Sequence, residues 1–233
     1  MTPRVTIVIP FYNCPYIANA VESALNQSYG NTEIIVVDDG STMHAEAINP
    51  YRPYIHYLGK SNGGTGSALN HGIRHASGDY IAWLSSDDVF YPDKINNQVL
   101  FMQEHNSLVS FTNFNYINAQ GQVVQYNAGA ELASEKDLYR ILLQGNPING
   151  CTVMIRKDLL GAIGLFDEAL LYTQDLDLWM RILVNGFRFL YLNESLTGYR
   201  WHEGMGTLRF REAIEAESAY TFARYRDILR QFI

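Results

Sequence analysis

Val5-Thr6-Ile7-Val8-Ile9-Pro10 is a nearly continuous β-branched run, and Glu33-Ile34-Ile35-Val36-Val37 repeats it further along the chain. A strand that alternates apolar and polar residues has one wet face, whereas a strand apolar throughout must be covered on both. Between the two runs Pro15 opens a stripe, Ile17, Ala20, Val21, Ala24 and Leu25, at the spacing of one helix face. Strand, crossover helix and strand together specify a parallel sheet with helices against its faces.

In such sheets ligands bind beyond the carboxyl ends of the strands. Here those ends are acidic. The second run stops at Asp38-Asp39-Gly40-Ser41-Thr42, and a further apolar run, Tyr80-Ile81-Ala82-Trp83-Leu84, stops at Ser85-Ser86-Asp87-Asp88. Pro92 then opens a helix to about His105. Neighbouring side chains of an extended backbone point opposite ways, so one of Asp87 and Asp88 can ligate a hard divalent cation while the other orients a substrate hydroxyl. The competing reading is an Asp-rich turn that caps the helix. Ile55 to Leu58 reads as a third strand. It leads through Gly59-Lys60-Ser61-Asn62-Gly63-Gly64-Thr65-Gly66 to a helix from about Ser67 to Ala76, an arrangement like a phosphate cradle. It does not match the dinucleotide fingerprint, whose third small position is here Leu69. His71 and His75 share a helix face, but Gly72 stands where a zinc protease carries glutamate, so the pair reads as ordinary surface.

Leu108 to Ile117 and Val123 to Tyr126, joined by a turn at Ala119-Gln120-Gly121-Gln122, predict a hairpin and hence a mixed sheet. Ser134 starts a helix to about Gln144, and Cys151 to Ile155 reads as a buried strand. Asp175 enters a helix with Leu176, Trp179, Met180, Leu183 and Val184 on one face, ended by Asn185-Gly186. The positive end of that helix is expected to favour the ionised carboxylate, which a general base requires; the alternative is a charge that only steadies the helix. Phe187 to Leu192 reads as a last short strand, and Gly198 to Gly206 as a loop with glycine hinges that closes over a ligand. A polar helix from Leu208 to Phe232 follows.

With 233 residues, 47% hydrophobic and 18% charged, the chain suits a globular protein with one sizeable core. No apolar run reaches the ~20 residues that span a bilayer. Met1-Thr2-Pro3-Arg4 carries no signal-peptide pattern, so the expected location is the cytoplasm. Cys14 and Cys151 lack ligand spacing and are read as structural thiols. The net charge of −7 disfavours nucleic acid as a partner, and an anionic ligand would need a local cation such as a bound metal.

The motifs, in order, are Ile9-Pro10-Phe11-Tyr12-Asn13, Glu22 to Ser28, Val36 to Thr42, Asn62-Gly63-Gly64, Gly78-Asp79-Tyr80-Ile81 and Asp87-Asp88. After them come Phe166-Asp167-Glu168, Gln174-Asp175 with Asp177 to Arg181, and Tyr199-Arg200-Trp201-His202. Together they resemble the inverting family 2 glycosyltransferases of the GT-A fold. That resemblance implies an α/β fold with a mixed, mostly parallel sheet flanked by helices. It implies a GT-A domain over 1–206, with about 1–105 binding the nucleotide-sugar and 106–206 shaping the acceptor site. The helix at 207–233 would pack on the domain or on a partner, including a second copy of the chain.

By the same resemblance Pro10, Tyr12, Asn13 and Asp39 hold the base and ribose, with Asn62, Gly63 and Gly64 beside them. Asp87 and Asp88 form the D-x-D region; Asp88 and His202 are the expected ligands of Mn²⁺ or Mg²⁺. Asp175 is the expected base and Trp201 the expected acceptor platform. Leu69 stands where the family often has arginine, so Lys60 or Arg200 is expected to take over a phosphate contact. The implied partners are a nucleotide-diphosphate sugar, UDP-linked by the same resemblance, and a saccharide or glycoconjugate acceptor, with peripheral contact at the inner membrane face. The implied role is cell-envelope, capsule or other polysaccharide assembly. The reading from another class is a noncatalytic nucleotide-sugar or carbohydrate-binding domain of a larger assembly.

Overall fold

A period of two decides the layering. A computed structural model describes residues 2–233. The first half forms β1 (Val5–Phe11), α1 (Ile17–Leu25), β2 (Thr32–Asp38), a 3-10 segment (Ala45–Tyr54), β3 (His56–Gly59), α2 (Gly64–His75), β4 (Tyr80–Trp83), β5 (Val89–Phe90) and α3 (Lys94–Glu104). The second forms β6 (Val109–Ile117), β7 (Val123–Gln125), α4 (Glu135–Leu142), β8 (Met154–Arg156), α5 (Lys157–Ile163), α6 (Gln174–Val184), β9 (Leu190–Arg200), α7 (Gly206–Arg209) and α8 (Arg211–Leu229). All strands join one sheet in the order β3-β2-β1-β4-β8-β6-β9-β5, with β7 paired to β6. The pairs β1–β2, β1–β4, β2–β3 and β6–β9 are parallel, while β8, β5 and β7 pair antiparallel. This is the mixed, mostly parallel α/β sheet that the sequence predicts, hairpin included.

Val5, Ile7, Ile9 and Phe11 of β1 pack with Ile34 and Val36 of β2 against α1 and α3. Val8, Ile35 and Val37 enter the opposite core with α2 and α6. Polar residues inside these strands are paired: Thr6 donates its hydroxyl to Glu33, which also accepts the Ser77 N–H at 2.8 Å. Pro10 is tolerated in a central strand because its nitrogen faces the β4 side, where pairing has already ended with Leu84 N–H on the Val8 carbonyl.

Several boundaries differ from expectation for physical reasons. α2 begins at Gly64 because the Asp39 carboxylate accepts the Gly63 and Gly64 N–H groups from across the chain. The expected strand at Cys151 is shortened, since Asn149 Oδ1 takes the Cys151 N–H and holds Gly150–Thr152 in a 3-10 turn before β8. The strand expected at Phe187 to Leu192 runs instead from Leu190 to Arg200, with register shifts opposite Thr112 to Phe114. Gly198 is therefore a strand position between Val89 and Ile117, and not a hinge. The terminal helix breaks at Phe210, whose ring stacks on Tyr172 at 4.6 Å, and α8 lies on α6. Among the described residues no helix is long and apolar enough to cross a membrane.

Gly72 lets α2 approach the sheet: a Cβ there would lie 2.5 Å from Val8 Cγ1 and 3.1 Å from Val37 Cγ2. Both neighbours are β-branched and stiff. Gly72→Ala gains at most ~1 kcal/mol of helix propensity against about 1–3 kcal/mol of overpacking. It should lower Tm by a few degrees in calorimetry, despite being a change that normally favours a helix.

Candidate active site

A cleft of about 1580 Å³ opens along the carboxyl ends of β1, β2 and β4. Pro10, Tyr12, Asn13, Asp39, Asn62, Gly63, Gly64, Asp87, Asp88, Asp175, Trp201 and His202 all line it. Residues expected from distant parts of the sequence are thus brought to one place. Tyr12 and Trp201 are 54% and 47% exposed, which leaves aromatic faces free to stack on a ligand. Asn13 adopts φ 50°, and its Oδ1 accepts the Thr42 and Met43 N–H groups at 2.8 and 2.9 Å, tying the turn after β1 to the turn after β2.

Of the first acidic pair only Asp39 faces the cleft. Asp38 accepts the Ser41 N–H at 2.7 Å and the Tyr57 hydroxyl. Asp39 accepts the Gly64 N–H at 2.8 Å and the Lys60 ammonium at 2.6 Å. Lys60 and Arg200, expected to contact a phosphate, stand behind residues that line this cleft. Lys60 is engaged with Asp39 and the Ser61 carbonyl. The buried Arg200 guanidinium donates to the carbonyls of Asp87 (2.7 Å), Asn118 (2.9 Å) and Ala119 (3.0 Å) and lies over the Tyr16 ring at 4.5 Å. Leu69 points into the core, so an arginine contact would not follow from its direction in this fold.

The second acidic pair divides its work. Asp88 is 1% exposed; its Oδ1 accepts the Arg200 N–H at 2.8 Å and its Oδ2 the Cys151 thiol at 3.1 Å. Burial, and then the neighbouring Asp87 charge, hold its carboxyl well above the usual range. Asp87 remains open to the cleft, with Oδ2 3.1 Å from His202 Nε2. A divalent cation fits this donor set, because it would relieve two adjacent carboxylates that, among the described residues, no lysine or arginine side chain pairs. Among the described residues no three His, Cys, Asp or Glu groups form a complete cage. Such an open set suits Mg²⁺-like ions, which take remaining ligands from substrate phosphates and water.

Asp175 stands on another wall, in the first turn of α6. Its Oδ1 accepts the Leu176 N–H at 2.7 Å and its Oδ2 the Asn146 amide at 3.0 Å. Burial pushes its carboxyl up to about 6, outweighing these hydrogen bonds. Desolvation thus works against the helix start, a contribution that local sequence does not show. Such a carboxylate is charged at neutral pH yet a stronger base than an ordinary aspartate. Asn146 and Cys151 were not singled out from sequence as site residues, because no local pattern announces a contact made across the fold. Trp179 is core, as its place on the apolar helix face predicts.

A family model described as glycosyl transferase family 2 matches residues 6–164. The chain belongs to that family. An uncharacterized glycosyltransferase of Rickettsia typhi is 40% identical over 188 residues, covering 78% of this chain and 59% of the relative. The chain thus spans about three-fifths of that relative's length. A Bacillus subtilis protein named a putative teichuronic acid biosynthesis glycosyltransferase, TuaG, is 34% identical over 208 residues, covering 85% of this chain and 79% of its own. The fold is shared with Staphylococcus aureus TarS 1-349 in complex with UDP-GlcNAc, at TM-score 0.73 and 23% identity, over 98% of this chain and 71% of that one. It is also shared with the Pyrobaculum calidifontis mannosyltransferase PcManGT in complex with GDP-Man and Mn²⁺, at TM-score 0.70 and 20% identity, over 95% and 63% of the two chains. The family 2 fold is therefore the GT-A architecture expected from the motifs.

The raised Asp175 carboxyl has a consequence for stability. Because the folded state holds its proton more tightly than the unfolded state, its contribution is fully present below the unfolded value and is lost as pH rises through about 6. Asp175→Asn removes that loss. Its Tm relative to the unmutated protein should rise between about pH 4 and pH 7.5, as read by thermal unfolding at both.

Proposed function

We propose that this chain is the catalytic domain of an inverting glycosyltransferase that moves a sugar from a nucleotide-diphosphate sugar, a UDP-sugar, to an acceptor hydroxyl. The observation that carries the reading is the sharing of one cleft by the strand-end carboxylates Asp39, Asp87 and Asp88 and by the desolvated base Asp175. Family membership supports it, as do the UDP-GlcNAc held by TarS and the teichuronic acid role in the name of TuaG. The role follows as polysaccharide or glycoconjugate assembly in the cell envelope or capsule.

In this mechanism Tyr12 stacks on the base, and Asp39, fixed by Lys60 and the start of α2, accepts a hydroxyl of the ribose. The acceptor oxygen forms a bond to the anomeric carbon while the bond from that carbon to the diphosphate oxygen breaks. The electron pair departs with the nucleoside diphosphate, and the hydroxyl proton passes to Asp175. Attack in line with the leaving group inverts the configuration in one displacement. Asp88 and His202, with Asp87 beside them, would hold Mn²⁺ or Mg²⁺; when bound, the ion supplies Lewis-acid neutralisation of the charge growing on the diphosphate. Trp201 offers its face to the acceptor. A noncatalytic binding domain would have no use for a base in the same cleft.

UDP should bind in calorimetry with Mn²⁺ present and bind weakly with chelator. Asp88→Ala should lose that metal dependence; equal UDP affinity with chelator, unchanged by Asp88→Ala, would remove the metal role. A panel of nucleotide-sugars then identifies the donor. Asp175→Asn should bind UDP normally while transfer falls ~10²–10⁴-fold, the range for loss of a general base. The unmutated enzyme should lose kcat as pH falls through about 6, because protonated Asp175 accepts no proton. Near-normal transfer by Asp175→Asn would refute its assignment as base.

A further inference from the structure

The residues just before α6 present a problem of unpaired donors. A helix start leaves several N–H groups without intrahelical partners, and Thr173, at the N-cap, makes no side-chain cap to its own helix. The acceptor comes from α8. Glu217 Oε1 takes the Leu171 N–H at 3.1 Å, and Oε2 takes the Tyr172 N–H, the Thr173 N–H and the Thr173 hydroxyl at 3.0, 2.9 and 3.0 Å. One carboxylate thus collects three consecutive main-chain donors, and charge-assisted bonds of this kind are among the stronger ones. Asp175 follows two residues later.

α8 is itself fixed against α6. Asp177 accepts the Tyr225 hydroxyl at 3.1 Å and Arg224 Nη1 at 3.3 Å. Ile214 and Ser218, either side of Glu217, line the same cleft as Asp175. Glu217 lies beyond residues 6–164, the part that the family model matches.

We propose that Glu217 is a positioning residue for the transfer reaction: by fixing the 171–173 backbone it holds the Asp175 carboxyl in its place beside Asn146. This rests on the reading of Asp175 as base. The terminal helix then belongs to the catalytic apparatus and is more than an attachment to it. Loosening the 171–173 backbone lets water reach Asp175, which favours the ionised form.

The test uses the full chain, with Glu217→Ala, Glu217→Gln and, as a control, Glu215→Ala, which removes only an exposed ion pair to Arg211. The Asp175 carboxyl is titrated by carbon NMR, its signal assigned by its loss in Asp175→Asn, and UDP affinity and UDP-GlcNAc hydrolysis with Mn²⁺ are measured alongside. In Glu217→Ala the Asp175 midpoint should fall by about one pH unit, and kcat by ~10-fold or more, with UDP affinity and KM within about twofold. Glu217→Gln, which keeps shape and one acceptor oxygen, should fall between, and it carries the test if Glu217→Ala does not fold. Glu215→Ala should match the unmutated protein. A lower Tm with the Asp175 midpoint unmoved would reduce Glu217 to a helix brace and overturn the proposal. A moved midpoint in a protein whose unmutated form turns over no nucleotide-sugar would instead sink the transferase reading and leave the positioning intact.

Discussion

Arg200 closes the end of β9 over the acidic turn, and the geometry of the cleft depends on that closure. Its main-chain N–H fixes Asp88, while its guanidinium gathers the carbonyls of Asp87, Asn118 and Ala119. A planar fork with five donors can serve three separate carbonyls at once; a lysine offers a point charge in place of that fork. The turn after β4 is thereby joined to the second half of the chain. Trp201 and His202 follow directly in sequence, so the same staple sets how aromatic and imidazole groups face Asp87.

Asp88, fully buried, and Asp175, half-buried in the wall of the cleft, show how one physical cause acts among different neighbours. Burial raises both. Asp88 sits beside another carboxylate, Asp87, whose charge adds to the effect of burial. Asp175 has amide donors beside it, Leu176 N–H and Asn146, which support the anion without neutralising it. The neighbours, and not the residue type, set the two environments apart.

The parallel half of the sheet was legible because β1 and β2 are covered on both faces and their residues record it. The cleft was legible in part, because Asp39, Asp87 and Asp88 end strands whose direction the sequence reveals. What escaped is non-local. The start of α2 is set by Asp39, 25 residues earlier than Gly64. β9 was read too short because Asn193, Glu194 and Ser195 interrupt its apolar pattern where its register with β6 shifts. The raised carboxyl of Asp175 was not legible, since helix position is written in local sequence and desolvation is not. Arg200 and Lys60 look like phosphate ligands in a string of letters; only folding reveals carbonyls and a carboxylate already in reach.

The sheet stops in very short strands: four residues in β3, two in β5 and three in β7. An unpaired edge is a template on which another chain can extend the ladder, and its danger grows with length and flatness. Here the apolar strands β1 and β2 are interior, and the strands that end the sheet are too brief to nucleate such growth. A nine-stranded sheet can in this way be large enough to build a wide cleft while offering little purchase for amyloid-like addition.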